Sequence, residues 1–197
     1  SGDHAEIGWM LQRLRAAHTG PLMAAGVSLG GNALLRWAAE VGTDAARSAD
    51  AVAAVCSPID LAAGGHAIGR GFNRQVYTRM FMRTLVPKAL QKLAQHPGLF
   101  DRQALLAARD LYAFDNVFTA PVHGYRNTED YWLRASAKPL LSQIRLPALA
   151  LNYFGQGALV LMGVMGNWEL AAMSLAWQEV PVVLLLAITI LVVVKPF

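Results

Sequence analysis

Ser28 stands in the pattern Gly26-Val27-Ser28-Leu29-Gly30, extended by Gly31 and Asn32. A serine hydroxyl becomes a nucleophile when a base takes its proton and nearby donors stabilise the oxyanion that forms. This pattern supplies the backbone half of that requirement. A sharp strand-to-helix turn lifts the hydroxyl above the sheet, and flanking glycines remove side chains that would block it. The amide of Leu29 opens the following helix and points at a developing oxyanion, because helix N-termini favour negative charge. Ser28 is therefore the candidate nucleophile and Leu29 the candidate oxyanion donor, with Gly26, Gly30 and Gly31 as the turn residues. The alternative is an ordinary strand–helix turn in which Ser28 caps the helix.

The elements that must position this turn are readable on both sides of it. Residues 22–27 are small and apolar, as a strand buried on both faces would be. Leu34, Leu35, Ala38 and Ala39 then recur at helical spacing, and Gly42 is placed to end that helix. Upstream, Ile7, Met10, Leu11 and Leu14 predict one face of a first helix, capped by Ser1 or Asp3 and stopped by His18-Thr19-Gly20-Pro21. Residues 51–55 read as a second buried strand that ends at Cys56-Ser57-Pro58-Ile59-Asp60. Short strands alternating with helices imply parallel pairing through right-handed crossovers.

From residue 62 to 143 the texture is helical. Phe72, Val76, Met80 and Leu85 predict a helix broken before Pro87, followed by helices over 88–95, 101–112 and Thr128–Ala135. This is too much helix for one crossover, so it reads as an insertion over the carboxyl ends of the strands, where a lid or pocket would sit. Residues 146–151 form a third strand candidate.

The chain has 197 residues, 55% hydrophobic and 15% charged, with a net charge of +4. Its basic residues look scattered, with no arginine-rich run, which argues against nucleic acid as a partner. Cys56 is the only cysteine, so no disulfide forms within the chain. No cofactor and no metal are expected. After Leu146 the only charged side chains are Glu169, Glu179 and Lys195. Residues 180–194 are an apolar run with one hydroxyl, Thr189. As a helix this run would span about 22 Å, short of the roughly 30 Å hydrocarbon core. Trp177 and Lys195 flank it as interfacial anchors would. Residues 152–197 are therefore read as an apolar tail with a truncated membrane segment.

The wider string resembles the YheT-like branch of the α/β-hydrolase fold. The matching pieces are Ser1-Gly2-Asp3, the stretch from Gly26 to Asn32, Ser57-Pro58, Gly71-Phe72 with Tyr77, Phe114-Asp115, Gly124-Tyr125, Asp130-Tyr131, Ser136-Ala137 and Pro147. The resemblance covers residues 1–151 and implies a partial α/β-hydrolase domain of three parallel strands, with the helical insertion as its lid. It implies a serine esterase with Ser28 as nucleophile and Leu29 in the oxyanion hole. It also implies an acid after the third strand and a histidine later still. This chain instead reads Asn152-Tyr153-Phe154-Gly155-Gln156-Gly157-Ala158, and no histidine follows His123. A string over residues 152–160 is similar to potassium-uptake permeases.

Residues within the chain offer substitutes for the missing partners. Asp60 follows the second strand, where some α/β hydrolases carry their acid, although the simpler reading is that it caps the helix beginning at Leu61. His66 and His123 are the candidate bases, or surface histidines. The expected substrate is a small lipophilic or acyl ester. A non-catalytic, membrane-attached remnant or binding module is the other reading. The expected setting is the cytoplasm, with attachment to the inner membrane through residues 153–197. Self-association is expected through an exposed edge of the Ser28 strand.

Overall fold

The computed structural model describes residues 4–151 in full, and the strand backbone of residues 152–154, 157–163 and 173–175. The order is α1 (His4–Ala17), β1 (Met23–Val27), α2 (Leu29–Val41), a 3-10 turn (Gly42–Arg47), β2 (Ala51–Val55) and α3 (Leu61–Ile68). A continuous helical run follows, made of α4 (Gly71–Asn73), a π turn (Arg74–Thr78) and α5 (Arg79–Gln95). Next come α6 (Arg102–Ala107), α7 (Leu111–Phe114), a second π turn (Asp115–Thr119), α8 (Ala120–Val122) and α9 (Thr128–Ala135). A 3-10 turn (Lys138–Gln143) leads to β3 (Ala148–Phe154), β4 (Gly157–Gly163) and β5 (Met173–Leu175).

The sheet runs β1-β2-β3-β4-β5. The three expected strands pair in parallel, with Met23 opposite Ala51 and Val52 opposite Ala148. β4 and β5 add antiparallel neighbours beyond β3. Residues 157–163, within the expected tail, thus belong to the sheet. Everything between β2 and β3 is a single long crossover of helices. Among the described residues no helix is long and apolar enough to cross a membrane. The apolar run at 180–194 lies outside the described residues, as do Ser1 and Asp3.

The main core lies on one side of the sheet. Leu34, Leu35, Trp37, Ala38 and Ala39 of α2 pack on Val52, Ala54, Ala148 and Ala150, with Leu11 of α1 and Ile144 beside them. Gly42 ends α2 at φ 60, as its position predicts. The expectation that residues 22–27 are buried on both faces is corrected. Met23 is 59% exposed and Val27 67%, because α1 and α2 cover only the face carrying Ala24 and Gly26. The first helix also turns a different face inward. Met10 and Leu14 are exposed, whereas Gly8 is buried, and a Cβ there would lie 2.9 Å from the Trp37 indole nitrogen. Closeness of helix to helix, not apolarity, selects that residue.

Two further corrections concern the crossover. Pro87 does not break its helix but lies inside α5. Proline removes one N–H and crowds the preceding turn, at a cost of about 3 kcal/mol. The helix survives because Leu85, Val86, Ala89 and Leu90 are held against Leu105, Ala108 and Phe114. The helix expected over 101–112 is two helices instead. Asp101 and Asp110 each cap one, accepting from Gln103 and Ala104 and from Ala113 respectively.

The end of the crossover is tied back to α2 by one buried side chain. Asn32, 2% exposed, donates to the Ala135 carbonyl at 2.8 Å and accepts from the Ala137 amide at 2.9 Å. Replacing it with alanine strands two buried backbone groups, each costing about 1–3 kcal/mol when unpaired. Asn32→Ala should therefore lower unfolding free energy by about 2–5 kcal/mol in a urea titration, with the slope unchanged.

Candidate active site

Ser28 joins β1 to α2. Its amide donates to the Val55 carbonyl at 2.9 Å, extending the β1–β2 ladder by one residue. Its carbonyl accepts from Gly31 at 3.0 Å and Asn32 at 3.4 Å, which starts the helix. Serving strand and helix at once forces the backbone between them into φ 53, ψ −130, a region that favours glycine. The side chain is exposed and makes no capping hydrogen bond. The capping alternative for Ser28 thus lacks its defining contact. Leu29 is the first residue of α2, so its amide is among the leading N–H groups that have no intrahelical acceptor.

The neighbouring glycines are not equivalent. A Cβ on Gly26 would meet the Gly30 carbonyl and the Gly31 amide at 2.6 Å. One on Gly31 would lie 1.9 Å from Ser57 Oγ and 2.6 Å from the Gly26 carbonyl. A Cβ on Gly30 would meet nothing within 4 Å. Close backbone approach therefore requires Gly26 and Gly31, whereas Gly30 leaves open space in front of the turn.

Beside Ser28 the sheet places a residue that the motif does not indicate. Cys56 follows β2 as Ser28 follows β1, is exposed, and also has a positive φ, of 51. Its amide donates to Leu151 at 2.6 Å. Nothing in the local sequence marks it, since the conformation arises from pairing with β3.

The remaining candidates sort into two other clefts. Asp60 and His66 line a cavity of about 220 Å³ together with Tyr112, Glu129, Trp132 and Lys138. Asp60 caps α3 by accepting from the Ala63 amide at 3.0 Å, and pairs with Lys138 at 3.1 Å. The Ala63 hydrogen bond, then Lys138, hold its carboxyl below the usual range despite partial burial. His66 packs edge-on against Trp132, with ring centroids 5.4 Å apart. Glu129 accepts from the Tyr112 hydroxyl, which lowers the carboxyl and raises the phenol. Below this cavity Asp115 accepts from Thr119 at 2.7 Å and Trp132 at 2.9 Å, and burial raises its carboxyl.

His123 lies elsewhere, in a cleft of about 470 Å³ with His4, Arg36, Glu40, Tyr125 and Arg134. Arg36 and Glu40 are eight and twelve residues along α2 from Ser28, about 12 and 18 Å at the usual rise. Ser28 is in the lining of neither cleft. The fold therefore brings Asp60 and His66 together, and His123 with α2, but joins neither group to the Ser28 hydroxyl.

The chain is similar in sequence to several known proteins. "Putative esterase YheT" of Escherichia coli strain K12 is 36% identical over 155 residues, covering 77% of this chain and 45% of that protein. "Phospholipase ABHD3" of Mus musculus is 29% identical over 136 residues, covering 67% of this chain and 32% of that protein. "Putative esterase slr0264" of Synechocystis is 30% identical over 153 residues, covering 68% and 40% respectively. The chain thus spans less than half the length of these relatives. No family model and no solved structure matches it. The likeness supports an α/β-hydrolase family, to which three parallel strands with flanking helices conform.

Two expectations follow from this geometry. Ser28→Gly relieves the strained φ and should raise stability by about 1 kcal/mol, whereas Gly31→Ala should lower it by about 3 kcal/mol or more, both read as thermal shifts. Asp60→Asn keeps a capping oxygen but loses the Lys138 pair, so at neutral pH it should cost less than about 1 kcal/mol. Because the Asp60 pKa is depressed on folding, its stabilisation is present above about pH 4 and is lost as pH falls below that. The variant should show a correspondingly flatter acid limb in pH-dependent melts.

Proposed function

We propose that this chain carries the nucleophile of a serine hydrolase acting on lipophilic carboxylic esters. One observation carries the reading: an exposed serine is held at φ 53 where a parallel strand becomes a helix, and its hydroxyl is not used to cap that helix. Such strain persists only where the surrounding structure imposes it, and it gathers at functional sites. The relatives named as esterases and as a phospholipase support the same class of chemistry.

In this reading Ser28 Oγ attacks the ester carbonyl and loses its proton to a base. The Leu29 amide holds the tetrahedral oxyanion, and the alcohol leaves as it is protonated. Gly26 and Gly31 keep the turn tight enough for that alignment, and Gly30 leaves room for the acyl group. The helical stretch over 62–143 acts as the lid, and its apolar residues favour lipophilic substrates. Asp60 and His66, already in one cavity, are the acid and base candidates of the described residues, with His123 behind them.

A second reading is favoured by one observation. Among the described residues no imidazole hydrogen-bonds the Ser28 hydroxyl, which fits a binding module that retains the turn without turnover. Fluorophosphonate labelling separates the two. An activated Ser28 should label within minutes, with labelling abolished in Ser28→Ala and reduced at least tenfold in His66→Gln if that imidazole is the base. A folded chain that takes up no probe would leave the binding module as the correct reading.

A further inference from the structure

Between Asp60 and Asp101 the chain contains no carboxylate, yet it carries Arg70, Arg74, Arg79, Arg83, Lys88 and Lys92. The linear spacing hides this accumulation. Folding gathers five of them onto a single helical run, α4 through α5, with Arg70 at its N-cap, and all six side chains are exposed. None of the ion pairs among the described residues involves them. The flanking acids are occupied elsewhere: Asp60 with Ala63 and Lys138, Asp101 as the cap of α6.

The same run exposes apolar side chains. Phe72 is 76% exposed, Val76 43%, Tyr77 47% and Met80 50%. Phe72, Val76 and Met80 follow each other at four-residue spacing, so they form a ridge along the helix, with Tyr77 beside Val76. The inward residues of the run, Thr78 and Ala89, are buried, and Thr78 is bonded to the Ile68 carbonyl at 3.0 Å. The helix is therefore anchored on one side and bare on the other. On the same run a cleft of about 400 Å³ is walled by Arg74, Arg79 and Arg109, with Gln75, Thr78 and Met82, and none of the ridge residues lines it. Three guanidinium groups and no carboxylate line it, a donor set suited to phosphate oxygens.

An exposed apolar ridge and exposed cations on one helical run, with a basic cleft on that run, fit one environment. At a bilayer interface aromatic and aliphatic side chains enter the headgroup–acyl boundary, while Arg and Lys reach back to anionic headgroups. Single-stranded nucleic acid would use the cations, Phe72 and Tyr77, but would give Val76 and Met80 no stacking partner. We propose that the α4–α5 face is a docking surface for an anionic phospholipid membrane, with lipid phosphate taken up between Arg74, Arg79 and Arg109. This surface is built from described residues. It depends neither on the apolar tail nor on Ser28 being catalytic.

Cosedimentation of the full chain with phospholipid vesicles tests the proposal. Vesicles with about one-third phosphatidylglycerol should retain the protein, pure phosphatidylcholine vesicles should not, and added salt should weaken retention. Arg74→Gln with Arg79→Gln should weaken binding about 30-fold, two cations' worth of surface attraction. Phe72→Ser should weaken it about tenfold at unchanged salt dependence. All three positions are exposed, so melting temperatures should stay at the wild-type value and separate lost docking from lost folding. The proposal is overturned by equal binding to neutral vesicles, by retention that survives both sets of substitutions, or by binding that a single-stranded oligonucleotide abolishes while Phe72→Ser leaves it intact.

Discussion

The structure depends on how closely the backbone of α2 approaches the end of β1. Gly26 and Gly31 touch there, carbonyl to where a Cβ would be, and Ser57 closes the gap from β2. No side chain fits between them, so the helix must leave the strand within one residue. That residue is Ser28, and the cost of the corner appears as its φ of 53. Strain of this kind costs about 1–3 kcal/mol and must be outweighed by what surrounds it. Here the surrounding gain is the apolar seam of Leu34, Leu35, Trp37 and Ala38 against β2 and β3.

That seam would be incomplete without the return of the long crossover. Residues 135–138 are stitched to two elements far away in sequence. Asn32 bridges Ala135 and Ala137, Arg36 donates to the Ser136 carbonyl at 3.0 Å, and the Ser136 hydroxyl accepts from the Leu61 amide at 2.9 Å. Lys138 donates through its backbone to Ile59 at 2.9 Å. The helical stretch between β2 and β3 is thus clamped at both ends beside the carboxyl edge of the sheet. Its interior clusters, Leu61 with Tyr131 and Trp132 and Leu105 with Phe114, are separate from the main core.

Charge and apolar surface follow the same division. The seam side has few exposed cations without partners: Arg15 pairs with Asp50 at 2.6 Å and Arg36 with Glu40 at 2.5 Å. The α4–α5 side concentrates unpaired cations around an exposed apolar ridge. One chain therefore presents a strained serine at the end of β1 and, on a separately packed helical layer, an exposed face of cations and apolar side chains.

The sequence by itself determined the parts governed by local chemistry. Residues Gly26 to Gly31 encode the turn, the spacing of Leu34, Leu35, Ala38 and Ala39 encodes α2, and residues 51–55 and 146–151 encode the two parallel strands that follow β1 in the sheet, because period and turn chemistry act over a few residues. Thr128–Ala135 was legible for the same reason. Tertiary packing decided the rest. Pro87 stayed inside α5 because its neighbours bury apolar surface against α6 and α7. Met23 and Val27 stayed exposed because no described element covers their face. Cys56 acquired its left-handed backbone from pairing with β3. The basic run was missed because cations four or five residues apart look scattered in a string, and only the fold shows them exposed and without ion pairs on one helical run.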